Sequence, residues 1–324
     1  MTSVLTLVAA ADDDGRRLDR ILRKALPDMP LSAIHGLLRK GRVLVDGAPG
    51  GASDRVRAGA AIRVPISDGD AGAIRAKTAA SSKQKTPPSL ALSILWESAD
   101  FLALNKPAGL ATHGPESLET LVQAYLAPKL PPSLSFKPGP LHRLDKPTSG
   151  IVVFSASLAG ARAFSALLRE RRVRKTYLAL LDGTMGRDET WEDILARDRV
   201  RGKSFALPGS KVGIGKDGPK EARTRAYPLA SASGLTLARL ELDTGRTHQI
   251  RAQAAAHRHP LAGDRKYGGS GQRGGFLLHA WTLELPEQAQ PPMPRRLEAP
   301  LPDNFRERIR ELFGEIDFTA NRTR

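Results

Sequence analysis

Cysteine is absent from all 324 residues. That excludes disulfides, thiolate catalysis, iron–sulfur clusters and every cysteine-based zinc site. No window approaches 18 uninterrupted apolar residues, so no membrane-spanning helix is expected. The opening MTSVLTLVAAADDDG holds a short apolar run with no basic segment before it, and three aspartates follow. It predicts an opening β-strand rather than a signal peptide. With neither an export signal nor cysteine, a cytoplasmic location is the expectation. No glycine-rich phosphate loop, nucleotide fingerprint or internal repeat occurs, so no bound cofactor is expected.

What is present is positive charge on a chain able to fold. Hydrophobic residues make up 40% and charged residues 26%, the balance of a globular protein with a sizeable core. Lys plus Arg number 50 against 34 Asp plus Glu, a formal charge of +16 and a pI near 10.5. An unspecialised basic protein, or one drawn to anionic lipid, shares this charge. A nucleic acid leads, because each phosphate contact releases a condensed counterion.

Residues 1–65 read as a small αβ module. In RRLDRILRKAL, Leu18, Ile21, Leu22 and Ala25 fall at helical spacing, while Arg17, Arg20, Arg23 and Lys24 occupy other faces. After a Pro-containing break, LSAIHGLLRKG places Ile34, Leu37 and Leu38 on one stripe, with Arg39 and Lys40 at its end. RVLVDG, beginning at Arg42, predicts a strand closing in the hairpin dipeptide Asp46-Gly47, and AAIRVP predicts a strand ending at Pro65. Residues 66–91 lack hydrophobic periodicity and are rich in Ala, Ser, Gly, Lys and Pro, as a flexible linker is. From residue 92 to 324 lies the larger domain. Strand-like runs (LSILWES, FLALNKP, GIVVFSA, TYLALLDG, LTLARLELDTG) outnumber helical ones (LETLVQAYL, SLAGARAFSALLRER) and do not alternate with them. The expected class is therefore α+β, with a mostly antiparallel or mixed sheet.

The sharpest segment is His142-Arg143-Leu144-Asp145-Lys146-Pro147-Thr148-Ser149-Gly150, running into the apolar Ile151-Val152-Val153-Phe154. One carboxylate sits between two cations in a loop that enters a buried strand. Neighbouring cations hold an aspartate ionised, as a nucleophile or base requires. A turn carrying a surface salt bridge has the same composition, and composition alone leaves the two readings level.

Residue order separates them. HRLDKPTSGIVVF resembles the catalytic loop of the large-RNA pseudouridine synthases, the branch that modifies ribosomal and transfer RNA. KTYLALL (175–181), TGRTHQIR (244–251) with HPLAGDRKYG (259–268), and LLHAWTLEL (277–285) resemble that family's later blocks, in order. The chain departs from the pattern after THQIR, where it continues AQAAAHRHP. In the module, RRLDRIL and LSAIHGLLRKGRVLVDG resemble the S4 RNA-binding domain, and together these details look closest to the branch that modifies large-subunit ribosomal RNA.

The resemblance implies roles. Asp145 is the catalytic carboxylate, Tyr177 stacks on the extruded uracil, and Arg251 pairs with Asp145, with Arg246 a weaker candidate for that pairing. Arg143 enters the space left by the flipped nucleotide, and Leu278 lines the uracil pocket while also packing the core. The S4-like module grips phosphates through Arg17, Arg20, Arg23, Arg39, Lys40 and Arg42. RERRVRK (169–175), directly before Tyr177, suits phosphate contact as well. The reaction breaks the N1–C1′ bond, turns the uracil and rejoins it through C5, which consumes no cofactor. Asp145 attacking C1′, adding to C6 or taking a C2′ proton all remain open. The expected partner is RNA, most naturally ribosomal RNA, with transfer RNA the alternative; no membrane or metal is expected, and the protein is expected to act as a monomer. Three rivals stand beside this reading. A metal hydrolase on His248, His257 and His259 lacks a carboxylate in helical register. A glycosidase needs paired carboxylates where the loop offers one. A non-catalytic RNA-binding assembly factor has no use for the set Asp145, Tyr177 and Arg251.

Overall fold

The computed structural model describes residues 2–67, 91–130, 133–198, 200–207, 218–271, 274–316 and 318. The segment expected to be a linker, 66–91, lies outside the described residues except at its ends.

In the N-terminal module β1 (Thr2–Val8) pairs antiparallel with β6 (Ala61–Ser67), which also pairs with β3 (Leu44–Val45). β3 turns through Asp46-Gly47 into β4 (Ala48–Pro49), and both turn residues have positive φ, 50° and 88°, as a two-residue hairpin of this kind requires. β6 runs to Ser67 rather than stopping at Pro65. Its partner β3 ends opposite Arg63, so Pro65 lies on an open edge, where a proline is tolerated. A second small ladder joins β2 (Arg16–Arg17) to β5 (Arg55–Val56). Helices α1 (Leu18–Ala25) and α2 (Leu31–Arg39) supply the module's core through Leu18, Ile21, Leu22, Ile34 and Leu38, packed with Val43, Ile62 and Val64.

The larger domain is built on one eleven-stranded sheet. Its strands are β7 (Ile94–Glu97), β8 (Phe101–Lys106), β9 (Gly139–Pro140), β10 (Ser149–Ser155), β11 (Arg174–Asp182), β12 (Glu189–Asp198), β13 (Lys203–Leu207), β14 (Lys220–Ala232), β15 (Leu235–Leu242), β16 (Leu278–Glu284) and β17 (Arg296–Glu298). The order is β13-β12-β14-β15-β11-β16-β10-β8-β7, with β17 beside β16 and β9 beside β10. Among the described residues every pairing in it is antiparallel except β10 with β16. Around the sheet lie α3 (Leu118–Leu126), α4 (Leu158–Arg169), α5 (Gln249–Ala256) and α6 (Asp303–Phe313). The class is α+β, as expected. All seven residues of β10 are buried, which is why SGIVVFS reads as a continuous apolar run.

Helix α5 escapes the periodicity because its buried residues include Gln249, Arg251 and Gln253, so no apolar stripe marks it. β14 escapes because its buried positions are the small Ala222, Thr224 and Ala226.

The two regions touch through the aspartates that follow β1. Asp13 is fully buried and accepts hydrogen bonds from Ala10 N at 2.9 Å, Leu134 N at 3.0 Å, Ser133 Oγ at 3.4 Å and Ser135 Oγ. Asp12 accepts from Leu158 N at 3.4 Å, and Arg16 donates to Ser135 O at 3.3 Å. Leu134 packs on the module's core.

Candidate active site

The Asp145 loop is fixed from both ends. Downstream, Gly150 has φ +110°, and a Cβ there would stand 2.2 Å from Ala280 O. Only glycine lets β10 meet β16 in the short parallel register Ser149↔His279, Gly150↔Ala280. His279 is buried and its pKa is pushed down to about 4 by burial, so the ring is neutral. It bridges Ser149 Oγ at 2.9 Å and Ala299 O at 3.1 Å. Upstream, the segment Asn105-Lys106-Pro107-Ala108-Gly109-Leu110 acts as a strap. The buried Lys106 ammonium donates to Leu110 O (2.8 Å), Pro107 O (2.9 Å) and Lys146 O (3.3 Å). Burial lowers its pKa to about 8, against an upward pull from Asp145. Thr112 Oγ1 donates to Leu144 O at 3.0 Å and accepts from Leu144 N at 3.2 Å. The loop carbonyls and amide so held, at Leu144 and Lys146, flank Asp145 directly, so the carboxylate has little freedom.

Arg251 on α5 meets that carboxylate, Nη1 donating to Asp145 Oδ2 at 3.3 Å. The rest of its fork is held by Asp264, Nε at 2.6 Å and Nη2 at 2.9 Å, the bidentate arrangement guanidinium geometry favours. The rings of Tyr267 and Phe276 lie 4.8 and 4.7 Å from the guanidinium carbon. Burial acts to lower the Arg251 pKa, and the bonds to Asp264 with the charge of Asp145 outweigh it, raising the value. His248 Nε2 is 3.7 Å from Asp145 Oδ2. Its Nδ1 faces the Tyr267 hydroxyl at 2.9 Å, and that hydroxyl accepts from Ser204 N at 3.0 Å. Burial lowers the His248 pKa despite Asp145, which favours a neutral ring.

Asp145 opens on a cavity of about 470 Å³. Tyr177 on β11 forms part of its wall and belongs to the main core cluster with Leu144. Burial, then the charge of Asp145, pushes the Tyr177 pKa up, so the phenol stays protonated. Arg143 is exposed at the rim, and Arg169 and Arg171 from the RERRVRK segment line the mouth. Arg246 also lines it, but its Nε donates to Glu221 O at 2.9 Å, and Arg251 is the residue bonded to Asp145. Leu278 is buried in the core cluster with Tyr177 and does not line this cavity. Arg20, Arg23, Arg39, Lys40 and Arg42 are exposed on the module, and Arg17 pairs with Asp19 at 2.8 Å. The three histidines diverge: His248 faces Asp145, His257 is 3.1 Å from Asp193, and His259 is 3.2 Å from Asp182 O. Among the described residues no three His, Cys, Asp or Glu side chains converge on a metal-sized site. No helix there is long and apolar enough to cross a membrane.

Sequence reasoning missed Lys106, Asp264, Tyr267 and His248 as members of the site. His248 lies in the THQIR block, and the sequence offers it only as a ligand of the rival metal hydrolase. Asp264 and Tyr267 lay in HPLAGDRKYG, where a buried pairing with Arg251 leaves no periodic signal.

The sequence profile of the RNA pseudouridylate synthase family matches residues 100–256. "Ribosomal large subunit pseudouridine synthase C" of Escherichia coli O157:H7 is 31% identical over 323 residues, covering 96% of this chain and 97% of that protein. "Ribosomal large subunit pseudouridine synthase D" of Neisseria meningitidis serogroup A is 31% identical over 310 residues, covering 90% of this chain and 77% of the relative. Among solved structures, human RNA Pseudouridylate Synthase Domain Containing 4 aligns with a TM-score of 0.55 at 25% identity, over 68% of this chain and 92% of that one. The loop, the strand and the helix that surround Asp145 all fall within the matched span, and the chain belongs to the RNA pseudouridylate synthase family, isomerases that turn uridine in RNA into pseudouridine.

Proposed function

We propose that this protein isomerises uridines in large-subunit ribosomal RNA, with Asp145 acting on a uridine flipped out of the RNA into the cavity beside it. The observation that carries the reading is Asp145 itself, set in a strapped loop, paired with Arg251 and facing a cavity of about 470 Å³ walled by Tyr177. That volume falls in the usual range for a small-ligand site. The ribosomal target is supported by relatives of that name, which align along nearly the whole chain. Asp145, Tyr177 and Arg251 form the catalytic set, because the nucleophile or base must be oriented and the extruded base needs an aromatic face. Arg143, at the rim, fills the space the nucleotide leaves, and Arg246 meets the RNA backbone at the cavity mouth. Residues 1–65 act as an S4-like module whose exposed cations hold phosphates without reading sequence.

The test is a map of pseudouridines in large-subunit ribosomal RNA and in transfer RNA from cells with and without the gene. Sites lost on deletion should return with the wild-type gene and not with Asp145→Asn. An unchanged map, or full rescue by the Asn variant, sinks the assignment. Sites lost only from transfer RNA would leave the isomerase and overturn its target.

A further inference from the structure

β11 sends two side chains to the wall of the Asp145 cavity, Tyr177 and Lys175. At about 3.3 Å per residue they stand roughly 7 Å apart along the strand, with Lys175 nearer the exposed Arg171-Arg172 turn. The Lys175 main chain is paired on both sides, to Leu242 of β15 and Leu283 of β16, so the sheet fixes the base of this side chain at the cavity. Yet no counter-ion is supplied. Of the two carboxylates on the wall, Asp145 is engaged by Arg251 at 3.3 Å, and Asp243 by Arg225 at 3.0 Å and Arg223 at 3.4 Å. The other charged or titratable groups on this wall are basic: His142 and Arg143 before β10, Arg169 at the end of α4 and Arg171 just after it, and Arg246 and His248 after β15, while the Tyr177 phenol stays protonated. Lys175 also borders a second cavity with Tyr227, Arg174 and Arg239, whose further carboxylates Glu241 and Glu284 are held by Arg225 at 3.7 Å and Arg296 at 3.0 Å. His142 is neutral, its pKa driven well down by burial and then by Lys175 itself, and its Nε2 accepts from Val153 N at 3.2 Å. Among the described residues Lys175 has no ion-pair partner.

We infer that Lys175 holds the phosphodiester of the flipped uridine, about one ribose outward from the base that stacks on Tyr177. The inference rests on the proposed uridine isomerisation. An amine kept partly buried and unpaired at the edge of an open cavity finds its anion in the ligand, and the guanidinium-rich mouth admits the same chemistry. The spacing selects the backbone rather than the base, since the uracil occupies the Tyr177 end. Burial lowers the Lys175 pKa to about 8 in the free protein. A phosphate beside it favours the charged form, so affinity must fall as pH rises through that value and the amine loses its proton.

The experiment measures turnover and equilibrium binding of an unmodified large-subunit ribosomal RNA transcript between about pH 7 and about pH 9. Wild type, Lys175→Gln and Lys175→Arg are compared. Wild-type KM should rise several-fold, roughly tenfold at most, across that range. The Gln variant should start about tenfold above wild type and rise no further, with kcat within about twofold. The Arg variant keeps its charge throughout, so it should restore a low KM and remove the pH dependence. A pH-independent wild-type KM overturns the inference. So does a Gln variant with wild-type KM and slope, or one whose loss lies in kcat alone. Should the Gln variant fold poorly, the Arg variant decides, because a slope equal to wild type's would show that Lys175 is not the titrating group. If wild type forms no pseudouridine in any ribosomal transcript, the functional reading fails. Kd measured against pH with Asp145→Asn and Asp145→Asn/Lys175→Arg proteins then tests Lys175 separately.

Discussion

In the N-terminal module Arg20, Arg23, Arg39, Lys40 and Arg42 stand exposed and without ion-pair partners among the described residues. In the larger domain Arg251 is only 7% exposed, shares one guanidinium between Asp145 and Asp264, and lies over the rings of Tyr267 and Phe276. The physics of the two settings differs. An exposed cation keeps its hydration, is screened by salt, and any neighbouring cation can stand in for it. A buried guanidinium in a two-carboxylate fork is set by geometry, and removing it strands charge at a cost of about 3–5 kcal/mol. Substitutions should therefore act steeply on one side of the molecule and gently, additively, on the other.

Arg251→Lys should show the steep side. A lysine retains the charge but cannot give Asp264 two parallel bonds while reaching Asp145. We expect kcat to fall about 100-fold or more, equivalent to roughly 2.7 kcal/mol, with KM changed far less. Single-turnover kinetics on the transcript would measure it. A Lys variant with near wild-type kcat would erase the contrast between the two regions.

Tyr177 sharpens the comparison, because it belongs to the core and to the cavity wall at once. Tyr177→Ala should lose both the stacking face, worth about 1–3 kcal/mol, and core packing, worth about 3–5 kcal/mol. Its melting temperature should fall along with its turnover. Tyr177→Phe keeps the ring and should keep the fold. Any kcat deficit in the Phe variant then reports the hydroxyl. Since burial and Asp145 raise the wild-type phenol's pKa, its loss of a proton should produce no falling limb in kcat below about pH 10. Such a limb, present in wild type and absent in Phe, would contradict the placement of this side chain.

The same contrast governs what could be read without a structure. α3 has the bounds of the run LETLVQAYL, because its buried residues are apolar and at helical spacing, and β10 follows the apolar GIVVFSA, because the strand is buried on both faces. The order of residues around Asp145, Tyr177 and Arg251 singles them out, and the fold brings Arg251 onto Asp145 and Tyr177 to the wall of the same cavity. α5 is not legible in this way, since it buries Gln249, Arg251 and Gln253, satisfied by hydrogen bonds, alongside Ile250, Ala252 and Ala254, so that no apolar stripe stands apart from a polar face. Nothing in the sequence marks Lys106, although three backbone carbonyls receive it. Asp13 looked like part of an acidic run after the first strand. Its partners lie about 120 positions away, at Ser133, Leu134 and Ser135. Polar bonds across such separations carry no local pattern, and periodicity can report only what is apolar and near.

The gentle side is best tested where folding is not at stake. Arg39, Lys40 and Arg42 are exposed at the end of α2 and just beyond it, and their side chains contribute nothing to the module's core. The triple variant Arg39→Gln/Lys40→Gln/Arg42→Gln should therefore melt within a few degrees of wild type. If these cations meet phosphates, neutralising each one takes roughly 0.7–0.9 off the slope of log K against log salt, so the slope should become shallower by about 2 to 3. Affinity for the transcript at low salt should drop several-fold, and the difference from wild type should shrink as salt rises. Turnover at saturating RNA should change less than about twofold, because the Asp145–Arg251 pair is untouched. Restoring any one of the three cations should recover about a third of the slope, whichever is chosen. A slope equal to wild type's would remove this surface from the RNA interface. A loss that depended wholly on one of the three would mean that the module, like the larger domain, depends on the geometry of a particular cation.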